Sequence, residues 1–420
     1  MNLSYSEKVK TDNKFINYNI SIFIFLLLFE ILIRAVIPGV DTLMNIFKIA
    51  FSTVFIVYII VVKRKFNNAF KMVHMIFWMY FFIVLMKLFI ESNINDYINW
   101  LLKNNNINFY FCYIYFIIFS QLRDEIDINK LFKVLKIYNY IIITISFILY
   151  MTNNYIGMVS NENMLAYAWV GTDKLRMMSI FGNPNHAGLY FIIMLCILDY
   201  FRIKEGKKFI CINNVLLVIC NLLTFSRTSI ICLIIYLYIR NKITFKGKKN
   251  KGISNILNKY KLLMFIIITL ITVYIVVDKY NIYFFNLNYL LTSSRGEKWV
   301  IGLQYMLTYI AIGTPFSDNM SGMSESYSEL TFSDNMFIEI GARFGIYLMI
   351  VVIIYIMYLL IKSIKNKKIM SLNKLQLVII PSMLSGTVHF SIPVLLFSIY
   401  AILCEDLQGG NSMNDKSKVI

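Results

Sequence analysis

Arg176, Arg227, Arg295 and Arg343 each stand in or beside an apolar segment of this 420-residue chain. A charge at membrane depth costs at least about 2.5–3.5 kcal/mol on insertion scales, so such a residue normally has a partner or a task. The guanidinium group is planar, always charged, and donates in a fork that fits phosphate or carboxylate oxygens two at a time. Arg343 has a partner in sequence: Glu339 lies four residues earlier on the same helical face, and an intrahelical pair is expected. Glu30 and Arg34 repeat that arrangement. Arg227, in LTFSRTSI, has no acidic residue within a helical turn. At the head of an apolar run, its guanidinium could hold an anion at the membrane surface or snorkel to lipid headgroups.

A second group lies in LRMMSIFGNPNHAG, Leu175 to Gly188. An arginine, a Gly-Asn-Pro-Asn turn and His186 come together just before another apolar run. Asn-Pro favours a turn, and Asn185 or His186 is suited to cap the helix that follows. A third group fills residues 291–343: RGEKW with Arg295 and Glu297, IGTPF, a polar run through Glu325 and Glu329, and SDNMFIEIGARFG with Asp334 and Asn335. In that last stretch Ser333 or Asp334 is suited to cap a helix beginning near Asn335.

The elements that must position these residues are membrane spans. The chain is 58% hydrophobic and 15% charged, against roughly 45–50% and about 25% for soluble domains. The apolar runs predict about twelve spans, near 19–37, 43–62, 72–90, 107–121, 134–151, 187–201, 209–223, 227–239, 261–277, 335–361, 375–390 and 392–404. Most are close to the length that crosses roughly 30 Å of hydrocarbon as helix. The first run reads as a membrane helix rather than a cleavable leader. The expected fold is all-α: a polytopic membrane protein forming a single integral domain over 1–420, with a large extracytoplasmic loop over 278–334 and a polar cytoplasmic tail over 405–420.

Orientation follows from charge. Thirty of the 41 Lys and Arg residues fall in alternate connectors and the termini, seven in the opposite connectors and four within spans. Positive residues mark the cytoplasmic side. Both termini are therefore expected inside, in a multi-pass plasma-membrane protein. The net charge of +18 is then a topology signal and excludes a nucleic-acid partner. The six cysteines fall in apolar runs without metal-ligand spacing and read as buried small side chains. His74, His186 and His389 are too far apart in sequence to suggest a metal site.

FGNPNHAG before one span, LTFSRTSI at the head of another, RGEKW opening the large outer loop and SDNMFIEIGARFG closing it resemble the O-antigen ligase/polymerase superfamily, the Wzy and WaaL proteins. The resemblance covers about Arg176 to Gly345 and is closest to a Wzy-type repeat-unit polymerase. It implies a metal-independent glycosyltransferase with no further cofactor, acting on the outer face upon polyprenyl-pyrophosphate-linked oligosaccharide. The bilayer, a chain-length regulator and a flippase are the implied partners. Family ligases usually carry a histidine near the end of the large loop, where this chain has Asp334.

On that resemblance, Arg227 and Arg295 stabilise the departing pyrophosphate, and Asp334 takes or orients the acceptor proton, with Glu329, Glu325 and Glu297 as alternatives. Arg176, Asn183, Asn185, His186, Glu297, Glu329 and Asn335 are expected to bind pyrophosphate or glycan. Arg176, Arg227 and Arg295 are expected to serve turnover and not folding. The competing readings are a ligase of the same superfamily and, from another class, a secondary transporter. A transporter places ionisable residues near mid-membrane on broken helices, whereas the unexplained charges here gather at outer ends and in outer loops.

Overall fold

The computed structural model describes residues 41–63, 71–103, 107–154, 175–245, 294–316, 335–366, 368–384 and 391–404. The predicted spans near 19–37 and 261–277, the tail over 405–420, and Asp334, Glu329 and Glu325 lie outside the described residues, as do 278–293 and 317–334 of the predicted outer loop.

Thirteen α-helices make up the described chain: α1 (Asp41–Tyr58), α2 (Lys71–Glu91), α3 (Ile94–Lys103), α4 (Ile107–Gln121), α5 (Ile128–Met151), α6 (Pro184–Lys204), α7 (Ile212–Leu223), α8 (Arg227–Phe245), α9 (Ser294–Thr308), α10 (Met336–Phe344), α11 (Ile346–Lys365), α12 (Ile369–Leu384) and α13 (Ser391–Leu403). No strand occurs among the described residues. Among the described residues four helices, α2, α5, α6 and α11, are long and apolar enough to cross a membrane.

α6 is the central pillar. Its sequence is apolar almost all round, the pattern of a helix surrounded by others, and sixteen of its 21 residues are buried. It packs against α5, α7, α8 and α13. Tyr190, Phe191, Ile193, Ile197 and Phe201 join Phe111, Tyr115, Ile142, Leu217, Tyr236, Leu396 and Tyr400 in the main core. α11 is just as apolar, yet only 11% of its best spanning window is buried. Ile350, Ile354, Met357 and Ile361 point outward. So large an exposed apolar surface suits hydrocarbon and not water.

Several predicted boundaries shift, each for a local reason. The predicted span 335–361 is two helices, α10 and α11, broken at Gly345. Gly345 has φ +88°, and the amide of Ile346 leaves the helical ladder to bond the Ile310 carbonyl at 2.9 Å. A Cβ at Gly345 would stand 2.7 Å from the carbonyl carbon of Ala311. α5 begins six residues before its predicted start at 134, because Asp127 accepts from the amides of Asn129 and Lys130 at 3.0 and 3.2 Å. α3 falls in a predicted connector, started by Asn93, whose side chain accepts from Asn95 N at 3.1 Å. α9 lies inside the predicted outer loop, so that loop carries a helix of its own.

The capping assignments change too. α6 is capped by Asn183, which accepts from Asn185 N at 2.8 Å with Pro184 following at the first helical position. α10 is capped by Asn335, which accepts from Phe337 N and Ile338 N at 3.0 and 3.2 Å. In both cases the residue with the capping side chain is the asparagine whose backbone is still extended, φ −147° and −137°. Asn185 and His186 already lie within α6, and the cap of α10 is one residue beyond Asp334.

Candidate functional site

The segment before α6 docks on the turn between α7 and α8. The Met177 amide donates to the Leu223 carbonyl at 3.0 Å. The Arg176 guanidinium donates through Nε to the Thr224 carbonyl and through Nη2 to the Phe225 carbonyl, both at 2.9 Å. These carbonyls lie at and just beyond the end of α7, where the helix dipole is negative, so a cation is well placed there.

The turn itself is tight. Phe225 has φ +48°, in the left-handed region. Thr224 Oγ1 donates to the Asn221 carbonyl at 2.7 Å and accepts from Ser226 N at 3.2 Å. Ser226 then accepts the Ile230 amide on its carbonyl at 3.0 Å, which starts α8 at Arg227.

The heads of α6 and α8 are packed together. Asn221 Nδ2 donates to the Gly188 carbonyl at 2.9 Å. A Cβ at Gly188 would stand 2.7 Å from Ser229 Cβ and closer still to Ser229 Oγ. Gly188 is one turn into α6 and Ser229 two residues into α8. The fold therefore gathers Arg176, Arg227, Asn183, Asn185 and His186 at one end of the bundle, around two adjacent helix N-termini. Each N-terminus carries roughly half a positive charge. Helix N-termini and guanidinium groups are each suited to hold a phosphate group.

Asn335, Arg295 and Glu297 belong to a second unit built from α9 and α10, which pack on one another. Arg295 and Glu297 lie in the first turn of α9, and their side chains lie outside the description. Arg343 pairs with Glu339 as its spacing predicted, Nε to Oε1 at 3.2 Å, with both side chains buried. α12 packs against both α8 and α10 and so joins the two units; Ser382 on α12 reaches Met336 Sδ at 3.4 Å.

Two polar constellations were missed in the sequence. The first is on α6: Asp199 is fully buried and accepts from Tyr236 Oη at 2.6 Å, Arg240 Nε at 2.6 Å and Asn214 Nδ2 at 3.0 Å. Asp199 is the only acidic residue in the predicted span 187–201, and that was the available signal. By the predicted boundaries Arg240 falls just past the span 227–239, in a connector. It is instead a helix residue whose guanidinium carbon also stands 4.8 Å from the Phe209 ring centre. The second is Lys87 with Glu91 on α2, one helical turn apart and both bonded to the turn after α9. Ionisable side chains thus lie buried on two of the helices long and apolar enough to cross a membrane, Lys87 on α2 and Asp199 on α6.

Among the described residues no three His, Cys, Asp or Glu gather as a metal-binding group. Cys196, Cys220, Cys232 and Cys404 are buried free thiols. Compared with known proteins, the chain matches no family model and no curated protein.

Proposed function

We propose that this protein is a polysaccharide polymerase of the outer leaflet of the plasma membrane, multi-pass with both termini cytoplasmic. It transfers a growing glycan from polyprenyl pyrophosphate onto the next lipid-linked repeat unit. The acceptor hydroxyl oxygen bonds to the anomeric carbon of the donor glycan. The bond from that carbon to the pyrophosphate oxygen breaks, and the hydroxyl proton passes to a carboxylate, with Asp334 first in line.

The observation that carries the reading is the seating of Arg176 on the α7–α8 turn, beside Arg227 and the head of α6. The leaving group is a multiply charged pyrophosphate on a lipid. It needs cationic donors fixed in place before charge develops on it. Two neighbouring helix heads, with one guanidinium pinned to the turn and a second opening α8, supply such donors at one end of the bundle. Asn183 and Asn335 act chiefly as caps in this reading and shape the two helix heads, while His186 and Asn185 face the donor from the first turn of α6.

The test is reconstitution. Purified protein in liposomes, supplied with lipid-linked repeat units, is expected to yield a ladder of longer glycans with release of polyprenyl pyrophosphate. Transfer of finished glycan to a different acceptor, without a ladder, would instead assign the ligase reaction.

The buried Asp199 network is the one observation that favours a transporter. Both carboxylate oxygens are occupied by Tyr236, Arg240 and Asn214, which suits a fixed tie between α6, α7 and α8 better than a group that changes partners during a transport cycle. Solute flux across liposomes without bond making would overturn the polymerase reading.

A further inference from the structure

The outer end of α2, as the charge pattern orients it, is tied to the joint between α9 and α10 by two charged side chains one turn apart. Lys87 is 1% exposed. Its ammonium donates to the Thr314 carbonyl at 2.6 Å and to the Arg343 carbonyl. It stands 5.3 Å from the ring centre of Phe316 and 5.6 Å from that of Phe344. Glu91 accepts the Phe316 amide on both carboxylate oxygens at 2.9 Å.

The joint is itself closely fitted. Thr314 N donates to the Ala342 carbonyl at 2.8 Å, and Ile346 N to the Ile310 carbonyl at 2.9 Å. Gly313 has φ +76°, and its Cα lies where a Cβ would strike the Arg343 backbone. A fully buried ammonium is costly unless its hydrogen bonds are well made. Lys87 makes its bonds to main-chain carbonyls of two different segments, so it holds a relative position and not merely a local turn. Leucine or methionine would fill the same slot for packing alone.

We propose that Lys87 and Glu91 are positioning residues: together they fix α9, with Arg295 and Glu297 in its first turn, against α2 and α10. The turnover arm of this inference rests on the proposed polymerase reaction; the geometric arm does not. Without the two ties, α9 pivots on its packing against α10, and a displacement of about 1 Å at a catalytic group is enough to cost on the order of 100-fold in rate.

The experiment uses the full-length protein in a cysteine-depleted background, with paired spin labels at Met75 on α2 and Gln304 on α9. Lys87→Met keeps the apolar stem and removes the donors. Glu91→Ala removes the acceptor at a half-buried position, and so serves if Lys87→Met does not fold. Glu91→Gln keeps an oxygen for Phe316 N and is the rescue. The label distance distribution is expected to broaden or shift in Lys87→Met and Glu91→Ala and to stay at wild type in Glu91→Gln. With lipid-linked repeat units, kcat is expected to fall about 10- to 100-fold at nearly constant KM in the same two variants, and to recover in Glu91→Gln. A distribution superimposable on wild type in both disrupting variants overturns the inference. A wild-type preparation that shifts as predicted on mutation but forms no polymer would support positioning and overturn the polymerase reading instead.

Discussion

Arg176 Nη2 donates to the Phe225 carbonyl at 2.9 Å, and Phe225 itself sits at φ +48°. The arginine therefore stabilises an unfavourable backbone conformation at the point where α8 begins. Arg176 was expected to serve turnover alone, but it also carries part of the fold. Arg176→Lys keeps the charge and loses the planar fork that bonds two carbonyls at once. Loss of a hydrogen bond to a charged group is worth roughly 1.5–3 kcal/mol. A lower melting temperature together with lower activity is expected, measured on detergent-purified protein.

Arg227 should behave differently. It opens α8 and lies two residues beyond the turn that Arg176 holds. Arg227→Ala is expected to insert and melt like wild type while losing about tenfold to a hundredfold in turnover, which corresponds to the same 1.5–3 kcal/mol applied to a transition state. Normal polymer from Arg227→Ala would remove it from the site and leave the snorkelling role.

The contact between Gly188 and Ser229 sets how closely the heads of α6 and α8 approach. Gly188→Ala forces a methyl to within 2.7 Å of Ser229 Cβ, and overpacking of this kind costs about 1–3 kcal/mol. Ser229→Gly removes the opposing atoms. The double variant Gly188→Ala/Ser229→Gly should be more stable than the sum of the two single changes predicts, the signature of residues in direct contact. Additive melting shifts would mean that the two helix heads are not packed as described.

The helical class, most helix positions and the Glu339–Arg343 pair were legible because they depend on local spacing: apolar run length, and an i, i+4 offset. The break at Gly345 was not, because it is caused by the distant Ile310 carbonyl taking the Ile346 amide. Without that partner FIEIGARFGIYLMIV reads as one continuous apolar helix. The tie from Lys87 to Thr314 spans 227 residues, and Asp199 to Arg240 spans 41. No local pattern reveals such pairs; only the rule that a buried charge needs a partner hints at them. The clustering of Arg176 with Arg227 likewise depends on a loop folding back over the α7–α8 turn. Asp334, Glu329 and Glu325 lie outside the described residues.

Orientation has a direct check. The split of basic residues predicts that Ser321 is external and Ser254 cytoplasmic. In intact cells, a cysteine placed at Ser321 in a cysteine-depleted background should react with a membrane-impermeant thiol reagent, and one at Ser254 should not. The reverse pattern would put Arg176, Arg227 and the helix heads on the cytoplasmic side and end the outer-leaflet mechanism.

The proposed base and the helix cap just before α10 can be separated. The sequence allowed Ser333 or Asp334 to cap the helix that follows, which would have made any loss of function at Asp334 ambiguous. In the fold that cap is Asn335, bonded to Phe337 N and Ile338 N. The cap and the proposed base therefore fall on adjacent residues and can be tested apart. Asn335→Ala removes the cap and is expected to cost about 1 kcal/mol of stability, seen as a lower melting temperature. Asp334→Asn leaves the cap in place and removes only the proposed proton acceptor. General-base assistance is worth about 10²–10⁴-fold, so turnover on lipid-linked repeat units should fall by that factor with melting unchanged, and single repeats should accumulate in cells. Near-normal turnover in Asp334→Asn would remove Asp334 as the base and move the assignment to Glu329, Glu325 or Glu297.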